Sequence, residues 1–243
     1  MKISIVIPAY NEEKNIDECL ACVGKEVQGS KDIEVIVVNN ASTDSTRERI
    51  LAHEWVTLVD EPMKGIVHAR KAGYDKSSGT LIANIDADSR MPKGWIAKVR
   101  HQFLNEQLMA LSGPYIYYDA PFYIRFFTRL FYYVGYMING FNWYVFGKAS
   151  MLQGGNYVLR RSALEAIGGY DTSIEFYGED TDIGRRVSEI GHVEWTFSFP
   201  MHTSGRRLMQ EGLLKTGITY ALNYFSITFF KKPASTTYTD VRM

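Results

Sequence analysis

Four short runs rich in β-branched residues, each followed by a helical pattern, set the tightest limit on what this chain can fold into. Ile3-Ser4-Ile5-Val6-Ile7, Ile33 to Val38, Val56 to Val59 and Leu81 to Ile85 read as strands. Their nearly continuous apolar character is that of parallel strands covered on both faces. Apolar spacing predicts helices over Asn15 to Val23, Ser45 to His53 and Val67 to Ser77, and Pro92 to Leu104 adds a fourth with proline near its first turn. This β-α-β-α-β-α-β-α order is that of an open α/β sheet, which binds ligands outside the carboxyl ends of its strands.

After about residue 115 the pattern changes to an aromatic-rich stretch, Tyr115 to Phe146, and then Asn156 to Arg160 and Val193 to Phe199 supply two further candidate strands. The expected division is an α/β half over 1–115, a second region of the same domain over 116–210, and a C-terminal amphipathic helix and tail over 211–243. Two apolar stripes have helical spacing. One runs through Phe126, Leu130, Val134, Ile138 and Phe141; the other through Leu214, Ile218, Ala221, Leu222, Phe225 and Phe229, ending beside Lys231 and Lys232. Neither reads as a transmembrane span, because Arg129 and Asn139 interrupt the first and the second is short and contains Asn223. They suit interfacial helices, helices packed on the core, or a homodimer contact. The Ser/Thr run after Lys231-Lys232-Pro233 is expected to fray.

With 243 residues, 46% of them hydrophobic, the chain can fill a sizeable core. Lys+Arg and Asp+Glu are balanced at 27 each, which argues against a nucleic-acid partner and leaves any polyanion site local. The two cysteines, Cys19 and Cys22, fall within an apolar helical stripe with Ile16, Leu20 and Val23; no second pair exists to close a zinc site, so a structural role in a reducing compartment is expected. The N-terminus opens directly on a strand without a charged-then-apolar leader, and the expected location is the cytoplasm, including the inner face of the membrane.

Candidate chemistry collects at the strand ends. Pro8-Ala9-Tyr10-Asn11-Glu12 follows the first strand, and Asn39-Asn40-Ala41-Ser42-Thr43-Asp44 follows the second, where side-chain amides suit a pyrimidine edge or the segment is an ordinary capped turn. The fourth strand runs into Asp86-Ala87-Asp88, two carboxylates on one face at a spacing of two. They need a partner, and Mg²⁺ or Mn²⁺ with oxygen ligands is one; a pair of capping or solvated aspartates is the plainer alternative. Glu179-Asp180 opens a helical pattern through Ile183, Val187 and Ile190, which fits both N-terminal capping and an acid–base role. Gly154-Gly155-Asn156 precedes a strand, where Gly155 and Asn156 become candidate sugar, phosphate or acceptor contacts or form a plain turn. His202 to Arg207 joins an imidazole, a candidate metal ligand, to Arg206 and Arg207, whose guanidiniums match phosphate oxygens.

Taken in order, Pro8 to Glu12, Asn39 to Asp44, Lys64-Gly65 with Ala69-Arg70, Asp86-Ala87-Asp88 and Glu179-Asp180 resemble family 2 glycosyltransferases of the GT-A fold, a mixed, mainly parallel sheet flanked by helices. The resemblance spans about residues 3–207. It implies that Pro8, Tyr10, Glu12, Asn40, Lys64, Arg70 and Asp86 hold a nucleoside-diphosphate sugar, that Asp86 and Asp88 hold the metal, and that Asp180, with Glu179 second to it, is the base of an inverting transfer. Many members carry two aspartates where this chain has Asn39-Asn40, so the base is left open between uracil, which is favoured, and guanine. The acceptor class implied is a glycan or lipid-linked hydroxyl in cell-surface polysaccharide synthesis, with peripheral membrane contact. Nucleotidyl transfer and NAD-dependent oxidation are disfavoured because no glycine-rich loop follows the first strand. A sugar-nucleotide-binding or membrane-scaffolding protein without turnover is the non-enzymatic rival.

Overall fold

A computed structural model of the chain describes residues 1–147, 151–174, 176–235 and 239–241. Strands β1 (Ile3–Ala9), β2 (Ile33–Asn39), β3 (Thr57–Asp60) and β4 (Leu81–Ile85) alternate with helices α1 (Ile16–Val27), α2 (Thr46–Leu51) and α3 (Ile66–Lys76). After them come α4 (Trp95–Gln102), β5 (Leu108–Ser112), β6 (Tyr115–Tyr117) and the long α5 (Phe122–Phe146). The remaining elements are β7 (Asn156–Arg160), α6 (Arg161–Ala166), α7 (Glu179–Ser188), β8 (His192–Trp195), β9 (Met201–Thr203), α8 (Arg206–Glu211) and α9 (Leu213–Phe230).

The main sheet has the order β3-β2-β1-β4-β7-β5-β8. β1 lies parallel to both β2 and β4 and is buried along its whole length, as a central strand covered on two faces must be. β7 is the exception to the parallel pattern, running antiparallel to β4 and β5, and it ties the second region of the chain into the sheet of the first. β6 and β9 form a separate two-stranded parallel sheet that joins residue 115 to residue 201. Alternation along β1 sends Ile3, Ile5 and Ile7 into one core with Leu20 of α1 and Trp95 and Val99 of α4. Val6 turns the other way, against Ala69 of α3, beside a second core in which α6 and α7 pack.

The four expected strands and four helices before residue 105 are present, with helix ends displaced by a few residues. Later elements differ more. The expected strand from Val193 to Phe199 stops at Trp195, because the chain turns there and buries Phe199 against Trp95, ring centroids 4.8 Å apart, before β9 begins. β5 carries no strand signal in the sequence, because Leu108-Met109-Ala110-Leu111-Ser112 lacks β-branched residues. The six-residue α6 and α8 are too short to show a period. Cys19 is a buried core residue of α1, and both cysteines are free. Residues 236 and 237 of the Ser/Thr run lie outside the described residues.

α3 approaches the sheet closely because it has glycine at the contact: a Cβ on Gly73 would lie 2.3 Å from Val6 Cγ1 and 3.1 Å from Val38 Cγ2. Gly73→Ala is therefore expected to push α3 outward and lower stability by about 1–3 kcal/mol, the scale of overpacking. Urea unfolding followed by circular dichroism checks this; an unchanged midpoint would mean that α3 slides at no cost.

Candidate active site

The ends of β1 and β2 form the floor of a cleft of about 350 Å³ lined by Pro8, Ala9, Tyr10, Asn40, Lys64, Gly65, Ile66 and Phe176. Two tight turns shape it, with Asn11 at φ 50° and Ala41 at φ 59°. The turns are joined to each other: Asn11 N–H donates to Ser42 Oγ at 3.1 Å, and Thr43 N–H donates to Asn11 Oδ1 at 2.9 Å. Lys64 Nζ sits 3.8 Å from the centre of the Tyr10 ring and pairs with Asp240 at 3.1 Å. Asn40 lines the cleft, but its amide serves the neighbouring loop. Its Nδ2 donates to Glu61 O at 3.2 Å and Met63 O at 2.7 Å, and its Oδ1 accepts from Gly65 N–H at 2.8 Å. Asn39 is likewise spent on Asp60 and the Ser42 amide. A buried amide needs these partners, and through them Asn40 fixes the wall of the cleft it lines.

The two aspartates after β4 leave the strand on one side, with Ala87 buried between them, and then enter different networks. Asp86 Oδ2 accepts from Tyr115 Oη at 2.9 Å, and Oδ1 lies 3.4 Å from Arg70 Nη2. Asp88 Oδ1 accepts from Thr203 Oγ1 at 3.1 Å, while Oδ2 pairs with Arg206 Nη2 at 2.9 Å. Arg206 also grips the buried Glu12, donating through Nη1 at 3.0 Å and through Nη2. Burial, reinforced by the charges of Glu12 and Asp86, pushes the Asp88 carboxyl up to about 7 despite Arg206.

Arg70, on α3 and 2% exposed, is the other centre. Its Nη1 donates to Glu179 Oε1, and its Nη2 donates to Gly154 O at 2.7 Å. Glu179 Oε2 is buried without a hydrogen-bond partner among the described residues, and burial pushes its carboxyl up to about 8 in spite of Arg70. Asp180 is half-buried; its Oδ1 accepts from Thr181 N–H at 2.7 Å, and burial raises its pKa. Both acids stand in the first turn of α7. That helix is anchored by Asp182, which accepts from Arg185 Nη2 at 2.9 Å and Arg186 Nε at 2.7 Å, and by Arg186 donating to the carbonyls of Ile167 and Gly169. Gly154 lies within the cluster: a Cβ there would be 3.3 Å from Arg70 Nη2 and Glu179 Oε1 and 3.5 Å from Asp180 Oδ2.

The remaining candidates separate. Gly155 is required for close approach, since a Cβ would come within 2.2 Å of Asp86 Oδ2, and its N–H donates to Tyr115 Oη. Asn156 is fully buried, its Nδ2 donating to Gly113 O and Phe199 O and its Oδ1 accepting from Trp95 Nε1, so it is a link of the fold. His202 is on β9 next to Thr203, and strand alternation turns its ring away from the face on which Thr203 reaches Asp88. Arg207 pairs with Glu211 at 3.1 Å and lies over Phe176, 4.7 Å from the ring centre, beside the cleft. Sequence reasoning missed Tyr115, Thr203 and the anchoring role of Asp182, because single hydroxyls and i,i+4 charges carry no signal until the elements meet.

Asp86, Asp88 and Glu12 carry the hard oxygen donors that Mg²⁺ or Mn²⁺ takes, gathered around Arg206 and Arg70. Among the described residues no three His, Cys, Asp or Glu side chains converge as a ready-made cage.

The glycosyl transferase family 2 model matches residues 4–168. The probable glycosyltransferase YdaM of Bacillus subtilis is 28% identical over 202 residues, 79% of this chain and 47% of the relative. The fold is similar to that of the mannosyltransferase PcManGT from Pyrobaculum calidifontis, solved with GDP-Man and Mn²⁺ (TM-score 0.69, 19% identity, 95% of this chain and 63% of that one). It is also similar to glucosyl-3-phosphoglycerate synthase from Mycobacterium tuberculosis, solved with Mn²⁺, UDP-glucose and phosphoglyceric acid (TM-score 0.65, 18% identity, 95% and 79% coverage). The chain spans less than half the length of the first curated relatives it matches. With a GT-A sheet, acidic strand-end residues in the family's order, and a family match across more than half of its residues, this chain belongs to glycosyl transferase family 2.

Proposed function

We propose that the protein is an inverting, divalent-cation-dependent glycosyltransferase that moves a sugar from a nucleoside-diphosphate sugar to an acceptor hydroxyl. The observation that carries this reading is the arrangement around Gly154, where Asp180, without an ion pair among the described residues, stands beside Glu179, which the buried Arg70 holds, with Asp86 at the other amino group of the same guanidinium. Tyr10, Lys64 and Phe176 line a cleft at the strand ends suited to the base and ribose. Asp86 and Asp88 would hold Mg²⁺ or Mn²⁺, which supplies charge neutralisation to the departing diphosphate. Arg206 is already at the Asp88 carboxylate, from which its guanidinium can turn to phosphate oxygens.

Asp180 then takes the proton of the acceptor hydroxyl as that oxygen attacks the anomeric carbon. The new bond forms on the face opposite the diphosphate, and the old glycosyl–oxygen bond breaks with its electron pair leaving on the phosphate. Glu179 is less available as the base, because its Oε1 is held by Arg70 Nη1. Comparison with the neighbours solved with GDP-Man or with UDP-glucose supports a nucleotide-sugar donor. The acceptor class proposed is a glycan or lipid-linked hydroxyl of a cell-surface polysaccharide, handled at the cytoplasmic face.

Asp180→Asn is expected to lower turnover at least about a hundredfold while donor affinity and melting temperature stay close to wild type. Transfer rates, calorimetric donor binding and thermal melts on one preparation check this; unchanged turnover rejects Asp180 and leaves it a helix-capping residue. Only ionised Asp180 accepts a proton and burial raises its pKa, so kcat/KM should fall as pH drops through a value above the ordinary aspartate range. That acid limb should vanish in the residual activity of Asp180→Asn.

Asp88→Asn is expected to weaken nucleoside-diphosphate binding in Mn²⁺ and nearly abolish transfer, and a chelator to stop the wild type reversibly. Equal activity of mutant and wild type, or full turnover without a divalent ion, would reject the cation role. A panel of nucleotide sugars that bind without hydrolysis or transfer would favour the binding-protein reading.

A further inference from the structure

α5 leaves most of its surface uncovered. Of its residues only Ile124, Thr128, Tyr132 and Asn142 are buried, whereas Phe122 is 74% exposed, Met137 73% and Tyr144 85%. Phe126, Phe127, Phe141, Trp143 and Phe146 are exposed as well. Aromatic side chains bury roughly 150–250 Å² each, so this half-exposed set presents on the order of 1,000 Å² of apolar surface, beyond the few hundred found on monomers. α9 extends the surface with Leu214, Ile218, Leu222 and Phe230. The two helices are joined where Asn142 Nδ2 donates to Tyr224 Oη at 3.3 Å, Tyr224 Oη donates to Asn139 Oδ1 at 3.3 Å, and Phe146 meets Phe229.

The charge around this surface has one sign. No acidic residue occurs between Asp119 and Glu165 or between Glu211 and Asp240, although the whole chain has as many acids as bases. Arg125, Arg129, Lys215, Lys231 and Lys232 are all exposed along the two helices and their ends. A second copy of the chain would bring these cations against one another; a negatively charged surface would not. Tyrosine and tryptophan with basic residues on a helix too polar to cross a bilayer are the composition of an interfacial helix, and no helix among the described residues is long and apolar enough to span a membrane.

We propose that α5 and α9 form one basic-edged aromatic platform that seats this chain on the surface of an anionic lipid bilayer. The platform continues into the candidate site. Tyr132, on the inner face of α5, accepts from Tyr115 N–H at 3.4 Å, and Tyr115 holds Asp86. α9 rests on the turn that starts α7: a Cβ on Gly178 would lie 2.6 Å from Ile227 Cδ1. Docking on lipid therefore brings the Asp180 end of the site toward the bilayer, which selects a lipid-linked acceptor, and that clause alone rests on the transferase reading above.

The test is co-sedimentation of the whole chain with phosphatidylcholine vesicles, with and without added phosphatidylglycerol. Wild type is expected to bind the anionic vesicles at least about tenfold more tightly at low salt, with the difference shrinking as salt rises. Met137→Asp with Tyr144→Asp should weaken binding to both kinds of vesicle at least about tenfold. Lys215→Glu with Lys232→Glu should remove the anionic preference. All four positions are exposed, and circular dichroism melts verify that both variants fold. No vesicle binding by wild type, or binding indifferent to both variants, overturns the proposal; so does a stable dimer in light scattering that the Met137→Asp/Tyr144→Asp pair dissociates. Hydrolysis of soluble donor should persist in both platform variants. Vesicle binding by an inactive wild type would reject the transferase and leave the docking standing.

Discussion

A buried guanidinium holds the two ends of this site together. Arg70 projects from α3 between Glu179 at the start of α7 and Asp86 at the end of β4, and it also donates to the carbonyl of Gly154. An arginine removed from water in this way is tolerated only with matched partners, and removing one of them leaves an uncompensated charge that costs several kcal/mol. The interaction therefore fixes the consecutive α3 and β4 against α7, whose Glu179 lies 109 residues beyond Arg70. α3 can supply it because Gly73 brings the helix down onto Val6.

Electrostatic frustration is the second feature. Glu12, Asp86, Asp88, Glu179 and Asp180 are gathered around two guanidiniums, Arg70 and Arg206, so negative charge is in excess. Burial raises the pKa values of Asp88, Glu179 and Asp180 even though the arginines oppose it. The proposed cation and base roles would draw on that excess, one at each end of the site. These are the two demands of displacing a diphosphate with a hydroxyl.

The long aromatic helix links this chemistry to the outer surface. Its inner face stacks Tyr132 and Tyr136 on Trp195 and Tyr133 on Phe197, while its outer face stays open. The α5 hydrogen bond to Tyr115 and the seat of α9 on Gly178 place the same two helices against both carboxylate networks. Whatever covers the outer face is therefore mechanically close to Asp86 and Asp180.

The amino-acid sequence by itself determined the α/β series through residue 104 and the order of the strand-end motifs. Apolar runs and glycines act locally, and a loop after a buried strand opens at the sheet's carboxyl edge wherever the rest of the chain goes. It also marked the two apolar stripes as helices. Local pattern could not show that β7 runs antiparallel between β4 and β5, because strand direction depends on partners distant in the chain. Nor could it separate binding residues from structural ones. Asn40 and Asn156 have the amides a ligand would want, but tertiary contacts spend those amides on neighbouring main chain and Trp95. Tyr115 and Thr203, unremarkable in sequence, reach the two aspartates. A side chain's hydrogen-bonding capacity is finite, and only the folded packing decides which partner uses it.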